Sequence, residues 1–173
     1  MRHALVVMGT AGSGKSRIGS ALATALDVPF IEGDGFHPPE NIAQMAAGIP
    51  LNDDNRAGWL RALAEQLRVA RVNNTGVVLT CSALKRRYRD VLRTGSDTIR
   101  FIALTGDPSL LRDRLNSRTG HYMPASLLDS QLAALELPQP DESAWTYDIA
   151  QEPDVIVAAI VARLQDAPVP HTS

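Results

Sequence analysis

The sequence of 173 residues contains one cysteine, Cys81, so an internal disulfide bond is excluded and a reducing compartment is favoured. Cys81 ends an apolar segment, which predicts a buried thiol and not a nucleophile. No apolar run approaches the length of a bilayer-spanning helix, and no membrane partner is expected. Arg2 and His3 lead directly into an apolar segment, without the features of a signal peptide. These absences predict a cytoplasmic protein.

Neither sign of charge dominates, since 17 basic and 19 acidic residues give a net charge of −2. The chain therefore lacks the overall positive field typical of nucleic-acid-binding proteins, and no nucleic-acid partner is expected. Basic residues do concentrate locally, in residues 85–93 and 112–118. Such clusters in a weakly acidic chain favour small phosphorylated ligands over a duplex.

Five apolar segments of strand length recur along the chain, separated by segments with helical periodicity. This alternation predicts an α/β fold, a parallel sheet with helices on both faces. Internal repeats and low-complexity segments are absent. We expect one domain over residues 1–165 and a frayed tail over 166–173. The predicted strands are 4–8, 28–31, 76–81, 99–104 and 145–149.

Residues 4–26 form the strongest motif: an apolar strand, a glycine-rich loop and an apolar-periodic helix in succession. The loop fits the pattern G-x-x-x-x-G-K-[ST], and in this context it predicts binding of a nucleoside triphosphate. Backbone N–H groups must close around the phosphates, so side chains are absent where the chain approaches the anion. The alternative is a glycine-rich turn with Lys15 exposed to solvent. The predicted nucleotide-binding residues are Gly9, Thr10, Ala11, Gly12, Ser13, Gly14, Lys15 and Ser16.

Within this loop, Lys15 is expected to reach the β- and γ-phosphates as a catalytic residue, and the Ser16 hydroxyl to ligate Mg²⁺. Segment 76–81 has no aspartate at its end, where a further magnesium carboxylate would be expected. We therefore expect Ser16, the phosphates and water to hold the ion, with Asp34 as a further candidate ligand.

Asp34 follows the second predicted strand, at the sheet edge where open parallel sheets bind ligands. Its carboxylate could accept the proton of a substrate hydroxyl or organise Mg²⁺. The alternative is an aspartate that bonds its own backbone in a turn. Gly33 and Gly35 flank it, and we expect them to permit unusual dihedral angles and a close approach of the ligand.

Three further residues are candidates for substrate binding. His37 precedes two prolines and either contacts substrate or ends a loop. Arg56 lies in the first turn of a helix over 55–72, where a cation opposes the helix dipole, so it is a candidate for an anionic ligand. Lys85 and Arg89 share a face of a predicted helix, which either reaches the active edge or is solvated.

Arg114 and Arg118 are four residues apart and project from one face of a helix near its end. Gly120 and His121 then interrupt the pattern before another helix begins. This arrangement resembles a lid over about 112–130 that closes on the triphosphate and brings both arginines to it as catalytic residues. The alternative is a surface helical hairpin with solvated arginines.

Four stretches, in order and at the expected spacing, resemble the gluconokinase family of small P-loop kinases over nearly the whole chain. They are GDGFHPPENIAQMAAGIPLNDDNRAGWL (33–60), CSALKRRYRD (81–90), RTGHYMP (118–124) and LELPQPDE (135–142). In the last stretch, Leu137 stands where an acidic residue is common in the family. The phosphate loop alone is shared by many families, so these stretches carry the resemblance.

The resemblance implies the fold of nucleoside-monophosphate kinases: three layers, a five-stranded parallel sheet and a mobile lid. It implies phosphorylation of D-gluconate at its 6-hydroxyl with ATP and Mg²⁺, commonly by a homodimer. The implied substrate residues are Asp34, His37, Arg56, Lys85 and His121.

Two other classes of protein fit the phosphate loop. A shikimate kinase would carry D-x-D after the second strand and three glycines near the third, whereas residues 33–36 and 77–83 are GDGF and VVLTCSA. A nucleotide-dependent regulatory module would turn over slowly whichever acid is offered.

Overall fold

The computed structural model describes residues 2–117, 125–167, 169 and 170. Five strands form one all-parallel sheet in the order β2-β3-β1-β4-β5. The strands are β1 (Ala4–Met8), β2 (Phe30–Glu32), β3 (Val77–Thr80), β4 (Ile99–Thr105) and β5 (Ala144–Asp148). The predicted α/β fold and all five strands are therefore confirmed.

Seven α-helices accompany the sheet in the described residues. They are α1 (Lys15–Leu26), α2 (Pro39–Ala46), α3 (Asp53–Asn73), α4 (Arg86–Arg93), α5 (Pro108–Asn116), α6 (Ala125–Ala134) and α7 (Pro153–Asp166). None of these helices is both long and apolar enough to cross a membrane. Helix α7 ends at Asp166, the first residue of the expected tail, and the domain limits stay a prediction.

The core lies on both faces of the sheet, because successive strand residues point to opposite sides. Leu5 and Val7 of β1 pack with α1 and α7, whereas Val6 and Met8 pack with α3 and α4. Central strands covered on both faces explain the nearly continuous apolar runs in the sequence.

The second strand begins later than its apolar pattern indicated. The N–H of Val28 donates to the carbonyl of Ala23 at 3.0 Å, and Asp27 adopts a left-handed conformation with φ of 54°. Both features close the C-terminus of α1. Val28 therefore belongs to the helix cap, and β2 is left with three residues.

A buried ion-pair network attaches α4 to the segment that precedes β5. Arg89 and Glu142 are both fully buried, and Arg89 Nε donates to Glu142 Oε1 at 2.7 Å. Burial alone would raise the pKa of Glu142, but hydrogen bonds from Arg89, the Gln139 amide and Arg93 outweigh it and lower the pKa to about 2. Glu142 is therefore charged throughout the physiological pH range.

We expect Arg89→Met to lower the free energy of unfolding by about 3–5 kcal/mol, because it leaves the buried Glu142 carboxylate without its main partner. Urea denaturation at pH 7 measures this change. Since the pKa of Glu142 lies below its ordinary 4.5, the wild-type contribution is complete above about pH 4.5 and is lost as pH falls towards about 2.

The matched control is Arg86→Met on the same helix. Arg86 pairs with Asp141 at 2.7 Å, but both side chains are exposed, so its loss should change stability by less than about 1 kcal/mol. Equal effects of the two variants would contradict the role assigned to the buried pair.

Candidate active site

The phosphate loop joins β1 to α1 at the carboxyl edge of the sheet. Gly14 precedes the first helical residue with φ of 87°, a left-handed conformation that a side chain would strain. A Cβ on Gly14 would meet no protein atom within 4 Å. The loop thus opens outward at the N-terminus of α1, where the helix dipole favours an anion.

The Lys15 ammonium lies over this loop. Its Nζ donates to the carbonyls of Gly9 and Thr10, both at 3.0 Å. From the other side, the Ala11 amide donates to Gln131 Oε1 of α6 at 2.7 Å. The Lys15 ammonium therefore places a positive charge at the loop, and a hydrogen bond links the loop directly to α6.

A short 3-10 helix, Gly33–Phe36, carries Asp34 and is fixed against two neighbouring elements. The Gly33 N–H donates to Thr80 Oγ1 of β3 at 3.1 Å, and Trp59 Nε1 of α3 donates to the Gly33 carbonyl at 2.8 Å. A Cβ on Gly33 would lie 1.9 Å from the Thr80 carbonyl oxygen. Gly33 is therefore required by the close approach of this segment to β3.

The expectation of unusual dihedral angles at Gly33 and Gly35 is wrong, because neither residue has a positive φ. The close approach at Gly33 is to the protein's own strand, whereas a Cβ on Gly35 would meet nothing within 4 Å. Among the described residues, no hydrogen bond ties the Asp34 carboxylate to its own backbone.

One cavity of about 320 Å³ connects the phosphate loop with Asp34; we call it the Asp34 cavity. Its lining residues are Ala11, Gly12, Gly14, Lys15, Ser16, Asp34, His37, Ile42, Met45, Leu51, Arg56, Trp59, Ser82, Leu115 and Gln131. The predicted phosphate-binding residues thus share a cavity with three of the predicted substrate residues, Asp34, His37 and Arg56.

The His37 ring is rigidly placed in this cavity. It is 8% exposed and stacks on Trp59, with ring centroids 3.9 Å apart. Asn41 Nδ2 lies 3.4 Å from His37 Nδ1. Burial lowers the pKa of His37; the Asp34 charge opposes this shift and Arg56 adds to it. The imidazole is therefore neutral at pH 7 and suited to hydrogen bonding with hydroxyl groups.

Lys85 occupies a different position from the one its spacing suggested. It occupies the N-cap position of α4, its Nζ lies 3.6 Å from Asp53 Oδ1, and it does not line the Asp34 cavity. The prediction that Lys85 and Arg89 share a helical face is wrong, because α4 begins at Arg86. Arg89 neither reaches the active edge nor is solvated, since it is buried against Glu142. A role of Lys85 in substrate binding stays a prediction.

A second cavity of about 300 Å³ lies on the other side of the phosphate loop; we call it the Arg114 cavity. It is lined by Gly12, Ser13, Gly14, Arg17, Ile18, Arg114, Ser117, Ile149, Gln151, Glu152, Pro153 and Ile156. Arg114 Nη2 donates to the Ile149 carbonyl at 2.6 Å. Arg114 is thus held beside the loop, in the cavity that does not contain Asp34.

Arg118 and His121, two further predicted site residues, lie outside the described residues, as does the part of the expected lid (112–130) that spans 118–124. Within that range, α6 buries Leu127 and Leu128. Leu128 belongs to the same core cluster as Ile18 of α1. The predicted lid function and the roles of these two residues stay predictions.

Some cavity residues were not found from the residue pattern alone. Trp59 lies within residues 33–60, but no local pattern predicts the hydrogen bond of its indole to Gly33. Gln131 lies in α6, whose sequence has no feature typical of a site. Glu32, at the end of β2, does not line the cavity, but it accepts a hydrogen bond from Thr80 Oγ1 at 2.6 Å. The residue pattern gave no indication of this contact.

Cys81 is buried, as predicted. Burial raises the pKa of its thiol to about 12, which disfavours the thiolate that a nucleophile would need.

Asp34 and the phosphate loop line one cavity at the carboxyl edge of a five-stranded parallel sheet. This arrangement defines a P-loop kinase. A family model described as shikimate kinase matches residues 11–164, in agreement with that class.

The chain belongs, within this class, to the gluconokinase family. It is 46% identical over 170 residues to the thermosensitive gluconokinase of Escherichia coli (strain K12), covering 95% of this chain and 90% of that protein. It is 45% identical over 161 residues to the gluconokinase of Gluconobacter oxydans (strain 621H), covering 93% and 90%. The crystal structure of a gluconokinase from Sinorhizobium meliloti 1021 superposes with a TM-score of 0.85 at 47% identity, covering 96% of each chain.

We expect Gly33→Ala to destabilise the protein by about 1–3 kcal/mol and to reduce kcat, because the new methyl group collides with a backbone oxygen that cannot rotate away. Thermal unfolding and a steady-state assay measure both effects. Gly35→Ala is the matched control and should leave the unfolding temperature unchanged. An unperturbed Gly33→Ala variant would contradict the close packing of the Asp34 segment on β3.

Proposed function

We propose that this protein is an ATP-dependent gluconokinase, which transfers the γ-phosphoryl group of ATP to the 6-hydroxyl of D-gluconate and releases 6-phospho-D-gluconate and ADP. The gluconokinase relatives support the identity of the acceptor. The observation that supports the reaction most directly is the Asp34 cavity. It is lined by the phosphate loop together with the Asp34 carboxylate, the neutral His37 ring and the Arg56 guanidinium.

The reaction follows from the positions of these groups. Main-chain amides of the loop, the N-terminus of α1 and Lys15 hold the phosphates and stabilise charge on the transferring group. Asp34 orients the 6-hydroxyl and accepts its proton as the new O–P bond forms. The bond from the γ-phosphorus to the β-phosphate oxygen breaks, and ADP leaves. Arg114 binds the nucleotide from its own cavity, and Arg118 is proposed to reach the phosphates from the lid.

The substrate end of the cavity suits a polyhydroxy acid. Arg56 supplies a guanidinium for the gluconate carboxylate, which is the strongest type of side-chain contact to such a group. His37 supplies a neutral ring for the hydroxyl groups. Lys85 and His121 are proposed as further substrate contacts on the strength of the family resemblance.

Magnesium is proposed as the accompanying ion. Ser16 and Asp34 line one cavity and present a hydroxyl and a carboxylate oxygen, the donor types that Mg²⁺ prefers. When bound, the ion neutralises charge on the phosphates. Residence in the cytoplasm and assembly as a homodimer are proposed from the sequence features and the family resemblance.

We expect Asp34→Asn to lower kcat by at least about two orders of magnitude, because the amide cannot accept the hydroxyl proton. A coupled ADP-release assay with saturating gluconate and ATP measures it. Asp154→Asn, on the exposed first turn of α7, is the matched control and should retain wild-type turnover. Near-normal turnover of Asp34→Asn would remove Asp34 from the mechanism.

Arg56→Ala should raise the KM for gluconate about tenfold or more and leave the KM for ATP within about twofold, since the guanidinium is assigned to the acid. Arg61→Ala, an exposed arginine on the same helix, serves as the control. Equal changes in both KM values would refute the substrate role of Arg56.

The matching shikimate kinase model makes shikimate the acid to test against gluconate. We expect the wild-type protein to release ADP rapidly with gluconate and only slowly with shikimate. Preference for shikimate would overturn the proposed acceptor, and slow turnover with either acid would favour a regulatory module.

A further inference from the structure

Arg56 has an unusual partner for an arginine at a charged site. Its Nη1 donates to the phenolic oxygen of Tyr88 at 3.2 Å, and its guanidinium carbon lies 5.4 Å from the centroid of that ring. Within the described parts of the chain, no carboxylate forms an ion pair with Arg56. The phenol therefore holds the side chain without cancelling its positive charge.

The hydrogen bond has a fixed direction because of Asp53. The Tyr88 hydroxyl donates to Asp53 Oδ1 in a short hydrogen bond, so its oxygen accepts from Arg56. Asp53 also pairs with Lys85 and Arg87. The bond from Tyr88, together with these two cations, lowers the pKa of Asp53, so its carboxylate is ionised and can only accept.

Tyr88 itself is anchored in the core. Its ring is 4% exposed and belongs to the cluster that covers the α3–α4 face of the sheet. Lys85 and Arg87 lie 5.7 and 5.8 Å from the ring centroid. Lys85 and Arg87 share the Asp53 carboxylate as their partner, and of the three cations around the ring only Arg56 lines the Asp34 cavity.

We propose that Tyr88, oriented by Asp53, is a positioning residue that preorganises Arg56 for the carboxylate of the substrate. This inference rests on the proposed function, because it assigns that carboxylate to Arg56. A long arginine side chain loses rotamer freedom when it binds a ligand, and a partner that restrains it beforehand reduces this loss. Tyr88 acts through Arg56 and makes no contact with the reacting atoms.

The test is Tyr88→Phe, which keeps the buried ring and removes the hydroxyl. We expect the KM for gluconate to rise about three- to tenfold, while kcat and the KM for ATP stay within about twofold. Tyr147→Phe is the matched control, because it removes a phenolic hydroxyl from β5, outside both cavities. It should leave all three constants unchanged.

A double-mutant cycle separates positioning through Arg56 from a general structural effect. In the Arg56→Ala background, Tyr88→Phe should cause no further rise in the KM for gluconate. An equal rise in both backgrounds, or a fall in kcat without a change in KM, would overturn the inference. Should Tyr88→Phe fail to fold, Asp53→Ala is the second variant, because it removes the group that orients the phenol. It should raise the KM for gluconate when Arg56 is present and leave it unchanged in the Arg56→Ala variant.

Failure of the inference differs from failure of the proposed function. Wild-type KM values in Tyr88→Phe, together with an impaired Arg56→Ala variant, would overturn the positioning role alone. Absence of gluconate turnover by the wild-type protein would overturn the proposed function and the inference with it.

Discussion

The geometry of the site depends on two hydrogen bonds made by the backbone of Gly33. Its N–H is bonded to Thr80 and its carbonyl to Trp59, so the segment that carries Asp34 is held by β3 and α3 together. In the sheet order, β3 lies between β2 and β1. The acid after β2 must therefore reach past the end of β3 to share a cavity with the phosphate loop after β1, and only a residue without a Cβ can pack closely enough there.

The cations around this contact differ in the partners that the fold provides for them. Arg89 is neutralised by Glu142 in the interior, and Arg87 and Lys85 share the single carboxylate of Asp53. Lys15 donates to loop carbonyls, and Arg56 is bonded to a phenol, which carries no charge. The Arg56 guanidinium in the cavity lining thus retains its attraction for an acidic substrate, in a setting where electrostatic interactions are stronger than in water.

Much of the fold could be predicted because its signals are local. Apolar runs followed by helical periodicity placed all five strands. The limits of β2 could not be predicted, because Val28 completes the cap of α1. Of the predicted site residues, Asp34, His37 and Arg56 line one cavity with the phosphate loop, whereas Lys85 lies beside Asp53, outside that lining.

By itself, the sequence determined the strand–loop–helix unit of residues 4–26, the parallel α/β class and the family resemblance, since these depend on neighbouring residues and on spacing. Only the tertiary structure decided which cation is buried, which is paired and which lines the cavity. Arg89 meets Glu142 across 53 positions and Arg56 meets Tyr88 across 32. The physical reason is that a charged side chain takes its environment from whatever the fold packs against it, and no local pattern of residue types records that partner.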